Sequence, residues 1–441
     1  MHPCDTVIQA GICLTQNSER EILHDAGIAI HKGEIQDIGP FDRIVAAYDP
    51  KESLDLSRCL VLPGLINAHT HASMTVFRGL ADDLPLMQWL TGHIFPVEKH
   101  LTPEIVRLGA MLACAEMVRT GTTCFCDMYL LERDVARAVV DCGMRALVAE
   151  GLFMFPSPAY EDLDTAYRLV GRLQELAESH TRLKNGLMPH AIYSTTPEIL
   201  KKSFRLAEQY DTIWLMHLAE TAHETTECMK THGKRPLAYL DELGLLSPRS
   251  VFAHGVDLND SEIELLARTG AKVVHNPESN MKLSSGVAPV QRMLQAGVCV
   301  GLGTDGAASN NDLNMLTEMG TCALLQKVTT MDPTAVSAQA ALDMATVNGA
   351  RCLGWPEIGS LEPGKAADLT ALSLNAPNMA PLHNPVSQVV YAANGGEVTL
   401  TMVEGRILYR DGSFPTMDYP GLLKEIDAVA KWVRGKRNSM A

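Results

Sequence analysis

Two histidines stand one residue apart at the end of the run Leu62-Pro63-Gly64-Leu65-Ile66-Asn67-Ala68-His69-Thr70-His71. If the apolar residues before them form a strand, the imidazoles at i and i+2 leave one face and Thr70 leaves the other. Two neutral ring nitrogens can then reach one metal ion with no helical turn between them. A third histidine, His217, closes the apolar run Trp214-Leu215-Met216, and Asp305 follows directly on the run 298–304. Three imidazoles and one carboxylate are the borderline-soft donor set that suits zinc. Asp305 is also expected to assist deprotonation of water at the metal.

Glu220 lies three residues beyond His217 in His217-Leu218-Ala219-Glu220, a pattern unlike the His-Glu-x-x-His helix of zinc proteases. It is expected to turn inward as a proton shuttle; an acid in the first turn of a helix, favoured by the helix dipole, is the competing reading. His254 ends Val251-Phe252-Ala253 and is expected to orient the nucleophile or stabilise developing charge. His190, beside Pro189, is a candidate substrate contact. For both, a buried histidine satisfied by its neighbours is the alternative. Cys124 and Cys126 lack structural-zinc spacing and are expected to be plain thiols.

These residues need a scaffold that brings distant strand ends together. Short apolar strands are predicted at Arg145–Val148, Thr212–His217, Val251–His254, Ala271–Val274 and Val298–Gly303. Helical patterns lie between several of them, at Ile105–Arg119, Glu198–Tyr210, Ser261–Thr269 and Val290–Ala296. Repeated strand–helix units imply parallel strands with helical crossovers. The α/β fold expected is a (β/α)8 TIM barrel, whose active site gathers at the C-terminal ends of its strands. An open doubly wound sheet is the rival, but no Gly-rich phosphate loop opens it. Residues 1–62 read as β segments, with a Gly-containing turn between Ile28–Ile30 and Glu34–Ile38. Residues 63–355 are assigned to the barrel. Residues 356–441 return to turns and β segments at Asp368–Leu372, Gln388–Tyr391 and Val398–Val403, then a helix near Leu422–Arg434. The two terminal segments are expected to form one small composite β-sandwich domain.

Composition sets outer limits. The 441 residues are 46% hydrophobic and 20% charged, which is the profile of a folded globular chain. A formal net charge of -15 argues against a general nucleic-acid or anionic-membrane binder, while leaving room for a neutral small molecule in a local pocket. No basic stretch followed by an apolar run opens the chain, and no apolar run reaches spanning length. With 11 cysteines, free thiols in a reducing cytoplasm are the expectation, and self-association is left open.

Taken together, the motifs closely resemble the metal-dependent amidohydrolase superfamily and, within it, the 5-methylthioadenosine/S-adenosylhomocysteine deaminase family. The resemblance includes Pro63–His71, His217–Glu220, His275-Asn276-Pro277-Glu278-Ser279-Asn280, Leu302-Gly303-Thr304-Asp305-Gly306 and the stretch Gly359–Asp368. It implies a zinc-bearing barrel with a composite β domain, and a metal set of His69, His71, His217 and Asp305. It also implies Glu220 as the proton-transfer group, His254 as its supporting histidine, Glu98 as the ribose contact and His190 as a further substrate contact. Binuclear relatives carry a bridging lysine, and Leu187-Met188-Pro189-His190 has none, which implies one zinc ion per subunit. Some family members contact the distal sulfur substituent through arginines, yet Gly151–Asp162 contains none. Arg168 or a partner subunit is left to supply that contact. The implied reaction replaces the 6-amino group of an adenosine derivative by hydrolysis. Cytosine, guanine or aminotriazine hydrolysis on the same framework is the enzymatic alternative, and a catalytically silent metal-binding scaffold the other.

Overall fold

The computed structural model describes residues 1–438. The chain begins with four strands, β1 (His2–Leu14), β2 (Ile22–His31), β3 (Glu34–Pro40) and β4 (Tyr48–Pro63). β4 passes into the next strand across Gly64 alone. That strand, β5 (Leu65–Thr70), is the first of a parallel set: β6 (Thr122–Tyr129), β7 (Arg145–Leu152), β8 (Leu183–Asn185), β9 (Met188–Pro189), β10 (Trp214–Leu218), β11 (Ser250–His254), β12 (Lys272–His275) and β13 (Val300–Leu302). β8 and β9 both pair with β7 and together fill one position, so eight positions result.

Two hydrogen-bonded arcs, β5-β6-β7-β8 and β10-β11-β12-β13, meet through a parallel bridge between Leu187 and Trp214. The opposite seam closes where Asp305 N donates to His69 O at 3.0 Å. Beside it, Asn67 and Thr304 exchange two buried hydrogen bonds of 2.7 and 3.0 Å. Gly303 permits this approach: a Cβ there would lie 2.7 Å from His69 N. The sheet is therefore a closed barrel and not an open doubly wound sheet. Its strands are buried on both faces, which is why they read as unbroken apolar runs. Ile66, Cys126, Leu147, Leu215 and Val274 pack inside it. All eleven cysteines are free, and Cys124 and Cys126 belong to this interior packing.

The last strands are β14 (Leu369–Ser373), β15 (Val398–Val403) and β16 (Arg406–Arg410). They join the first four in one seven-stranded sheet of order β16-β15-β14-β4-β1-β2-β3. The layers of the expected sandwich are thus hydrogen-bonded into one sheet, which bends over a shared core including Ile28, Val61, Leu369 and Met402. Edge strand β3 returns to the turn before β14, where Ile35 N donates to Lys365 O at 2.8 Å. Barrel and sheet are pinned together by Arg145 of β7, whose guanidinium reaches both carboxylate oxygens of Asp368 at 2.8 and 3.2 Å.

One expected strand is a helix. Gln388–Tyr391 lies in the helix Pro385–Tyr391, capped by Asn384, whose side chain accepts from Ser387 N. That helix packs on Ala338–Met344 and Met315–Thr330, and the terminal helix Tyr419–Asn438 packs on Pro103–Arg119. The C-terminal segment therefore completes the small sheet with its strands and covers the barrel with its helices. No helix among the described residues is long and apolar enough to cross a membrane.

Candidate metal centre and active site

His69 and His71 sit on and just beyond the end of β5, His217 on β10, His254 at the end of β11 and Asp305 just past β13. All five project at the C-terminal mouth of the barrel. One potential donor atom from each of His69, His71 and His217 lies within 4.8 Å of the others, and so does one from each of His69, His254 and Asp305. Asp305 Oδ1 is 3.1 Å from His71 Nε2 and 3.6 Å from His69 Nε2. His254 and Asp305 hold left-handed backbone conformations, with φ of 74° and 62°. Such strain costs on the order of 1–3 kcal/mol per residue and is concentrated at functional sites.

The rings are oriented from behind. His217 Nδ1 donates to His190 O at 3.0 Å, and His71 Nδ1 donates to Met128 O. With each Nδ1 held by a carbonyl, the Nε2 atoms of His71 and His217 turn into the cluster and lie 3.3 Å apart. Both ring nitrogens of His69 are buried without a hydrogen-bond partner. Such a convergence is costly unless a cation satisfies it. The donor set and its orphaned nitrogens therefore fit a metal ion.

The charges of the cluster are strongly coupled to one another. Burial lowers His69 to about 4, against the opposing pull of Asp305. Burial also disfavours charge on His71, but the Asp305 carboxylate outweighs it and raises that ring to about 9. Burial alone would raise Asp305; its contacts with His69 and His71 hold it well below the usual carboxylate range. Its other oxygen, Oδ2, accepts from Ser279 Oγ at 2.6 Å and Ser309 Oγ at 2.8 Å, leaving Oδ1 for the cluster.

Glu220 borders the cluster, with Oε2 3.8 Å from His254 Nε2. Burial raises its carboxyl, only partly offset by the charge of His254. His254 Nδ1 donates to Asn280 Oδ1 at 2.9 Å, which turns Nε2 toward Glu220 and the neighbouring imidazoles. A cavity of about 240 Å³ opens from these groups. His190 lines it, its Nδ1 2.7 Å from Ser194 Oγ, and burial lowers this ring to about 3, keeping it neutral. Glu98 also lines it, at the end of a broken helical segment whose middle, Leu90–Ile94, is a π-type turn. Tyr129 OH donates to Glu98 from a ring 6.0 Å from that of His71.

His71, Glu98, His190, His217, Glu220, His254 and Asp305 thus line one space, while His69 is fully buried behind it within the donor cluster. The residues missed are those that hold them. Ser279 and Asn280 lay within a motif already singled out, so that stretch carried a signal without a role. Ser309, Met128 O and Asp127, which accepts from Thr70 Oγ1 and Ala72 N, each at 2.6 Å, carried none.

A closed parallel barrel with a carboxylate and imidazole cluster at its C-terminal mouth defines a metal-binding hydrolase scaffold. The amidohydrolase family pattern matches residues 60–408. A 5-methylthioadenosine/S-adenosylhomocysteine deaminase of Nitratidesulfovibrio vulgaris strain Miyazaki F is 55% identical, over 98% of this chain and 99% of its own. A 5'-deoxyadenosine deaminase of Methanothermobacter thermautotrophicus is 43% identical, over 94% and 97%. Among solved structures, a zinc-bound adenosine deaminase from Xanthomonas campestris superposes with a TM-score of 0.97 at 38% identity, covering 98% of this chain and 99% of that one. The chain belongs to the amidohydrolase family, and its chemistry is hydrolysis of a C–N bond by deamination.

Proposed function

We propose that this chain is a zinc-dependent deaminase that converts the 6-amino group of 5'-methylthioadenosine, S-adenosylhomocysteine or adenosine to a 6-oxo group. One zinc ion per subunit is held by His69, His71, His217 and Asp305. The observation that carries this reading is the placement of Glu220 and His254 beside the donor cluster, with Glu98 in the same cavity. A divalent ion in such a donor set supplies Lewis acidity that makes hydroxide available near neutral pH.

The chain's own groups account for the remaining steps. Glu98 accepts hydrogen bonds from the ribose hydroxyls and directs the base inward, and His190 contacts the ring. Asp305 takes a proton from water as its oxygen bonds to C6. Glu220, whose carboxyl burial shifts toward the protonated form, donates to the purine N1 in the same step, so charge does not accumulate on the ring. His254, fixed by Asn280, orients the attacking oxygen and stabilises its developing charge. The proton held by Asp305 then passes to the exocyclic amine, the C6–N bond breaks as the C6–OH proton returns to Glu220, and ammonia leaves a 6-oxopurine.

The test is ammonia release by zinc-loaded protein from 5'-methylthioadenosine, S-adenosylhomocysteine, adenosine, adenine, cytosine and guanine. Preference for a free pyrimidine or for guanine rejects the assignment, and silence across the panel favours a non-catalytic scaffold. Glu220→Gln is expected to retain zinc and lose about 10²–10⁴-fold in kcat, the usual worth of a positioned proton donor. Near-normal turnover with bound zinc would remove Glu220 from its role.

A further inference from the structure

A nucleoside seated with C6 at the cluster and its ribose at Glu98 must send its 5' substituent toward the cavity mouth. The wall leading there is a row of rings. From His217 the ring of His190 is 4.8 Å away, Phe153 a further 4.9 Å from His190, and Phe155 5.2 Å from Phe153. Trp89 and Phe95 also line the cavity. Phe155 and Phe95 are 45% and 38% exposed.

Lysine and arginine are scarce around the cavity. Glu98, Glu220 and Asp305 line it, and the one lysine or arginine among its lining residues is the solvent-exposed Lys99. Arg168 lies on the exposed face of the helix Leu163–Glu178, where its guanidinium donates to Thr165 Oγ1 at 2.7 Å. A neighbouring hollow that shares Glu220 and Tyr193 with the cavity adds Asp83, Glu224 and Glu227. Its Lys282 is engaged with Asp82 at 2.6 Å.

The geometry points to a deaminase selective for small, uncharged 5' substituents, such as methylthio or the bare methyl of a 5'-deoxynucleoside, over the zwitterionic amino-acid tail of S-adenosylhomocysteine. This rests on the nucleoside-deaminase reading above. An apolar substituent gains by leaving water for ring surface. A carboxylate at the same place loses hydration, meets the negative faces of aromatic rings and finds no bidentate partner. An exposed lysine offsets little of that, because water screens the pair. The α-ammonium of the same tail is attracted by ring faces and acids, but the carboxylate held beside it meets no guanidinium among the cavity's lining residues.

The test compares kcat/KM for 5'-methylthioadenosine, 5'-deoxyadenosine, adenosine and S-adenosylhomocysteine on the zinc-loaded full chain. We expect the first two to exceed S-adenosylhomocysteine by at least about tenfold, the scale on which a missing polar partner discriminates. Equal or greater efficiency with S-adenosylhomocysteine overturns the proposal. Absence of deamination on all four nucleosides overturns the underlying nucleoside reading instead. Phe155→Arg places a guanidinium at the rim and is expected to raise the S-adenosylhomocysteine to methylthioadenosine ratio severalfold. An unchanged ratio in a folded, active F155R protein argues that the tail does not pass this rim, and so against the proposal.

Discussion

Removing the hydroxyls of Ser279 and Ser309 should weaken the metal site without touching a metal ligand. Both donate to the same oxygen of Asp305, at 2.6 and 2.8 Å, and all three residues are buried. A hydrogen bond to a buried charge contributes about 1.5–3 kcal/mol. Partners that orient metal ligands usually change affinity by about 10–100-fold, which is about 1.4–2.7 kcal/mol, the same range. Ser279→Ala and Ser309→Ala should therefore each lower zinc affinity by about tenfold or more, and the double variant by about 100-fold. The hydroxyls favour the ionised carboxyl, so their loss raises the Asp305 pKa. Because the ligand must be deprotonated to bind, the variants should release zinc at a higher pH than the parent as pH falls. Competition with a chromophoric chelator at neutral and mildly acidic pH reads both effects. A double variant that folds normally and stays within about twofold of the parent at both pH values would falsify the assigned support of Asp305.

Two further outcomes concern the frame around the site. Arg145→Met should destabilise the fold by about 3–5 kcal/mol in chemical denaturation, because it leaves the buried Asp368 carboxylate without its bidentate partner. Adding Asp368→Asn should recover part of that loss; strict additivity of the two substitutions would rule out the coupling. Glu224 is raised by burial from 4.5 to about 7. Its folded pKa lies above its unfolded one, so its contribution to stability is complete below 4.5 and is lost as pH rises through about 7. Glu224→Gln should therefore flatten the fall in denaturation midpoint over that window, a difference on the order of 3 kcal/mol. A slope equal to the parent's would contradict the shift.

The barrel was legible because strands covered on both faces leave continuous apolar runs, and the candidate site residues stand where those runs stop. His217 and His254 illustrate this: each is a polar residue set against a strand that has no other reason to end in an imidazole. The misread stretch 388–391 shows the limit. Gln-Val-Val-Tyr suits a strand by composition, but Asn384 and Pro385 mark a helix start, and the run is too short for periodicity to overrule either signal. The small sheet was anticipated from both chain ends, whereas its bending into one continuous hydrogen-bonded surface depends on the return of β3 to the turn before β14.

The sequence alone determined which chemistry the chain can support: three imidazoles and a carboxylate at strand ends, followed by a glutamate within reach of one of them. That information is local, since residue type and strand parity settle what a side chain can donate and which way it leaves the backbone. The tertiary structure decided how those groups behave. Asp305 takes its two hydroxyl donors from the helix Pro277–Lys282 and from the turn at Ser309, His254 is turned by Asn280, and His71 is oriented by a carbonyl 57 residues away. Protonation states follow from these contacts and from the water that closure excludes, and neither is a property of a residue or its neighbours along the chain. The apolar character of the cavity mouth is of the same kind, arising only where rings from separate segments share one wall.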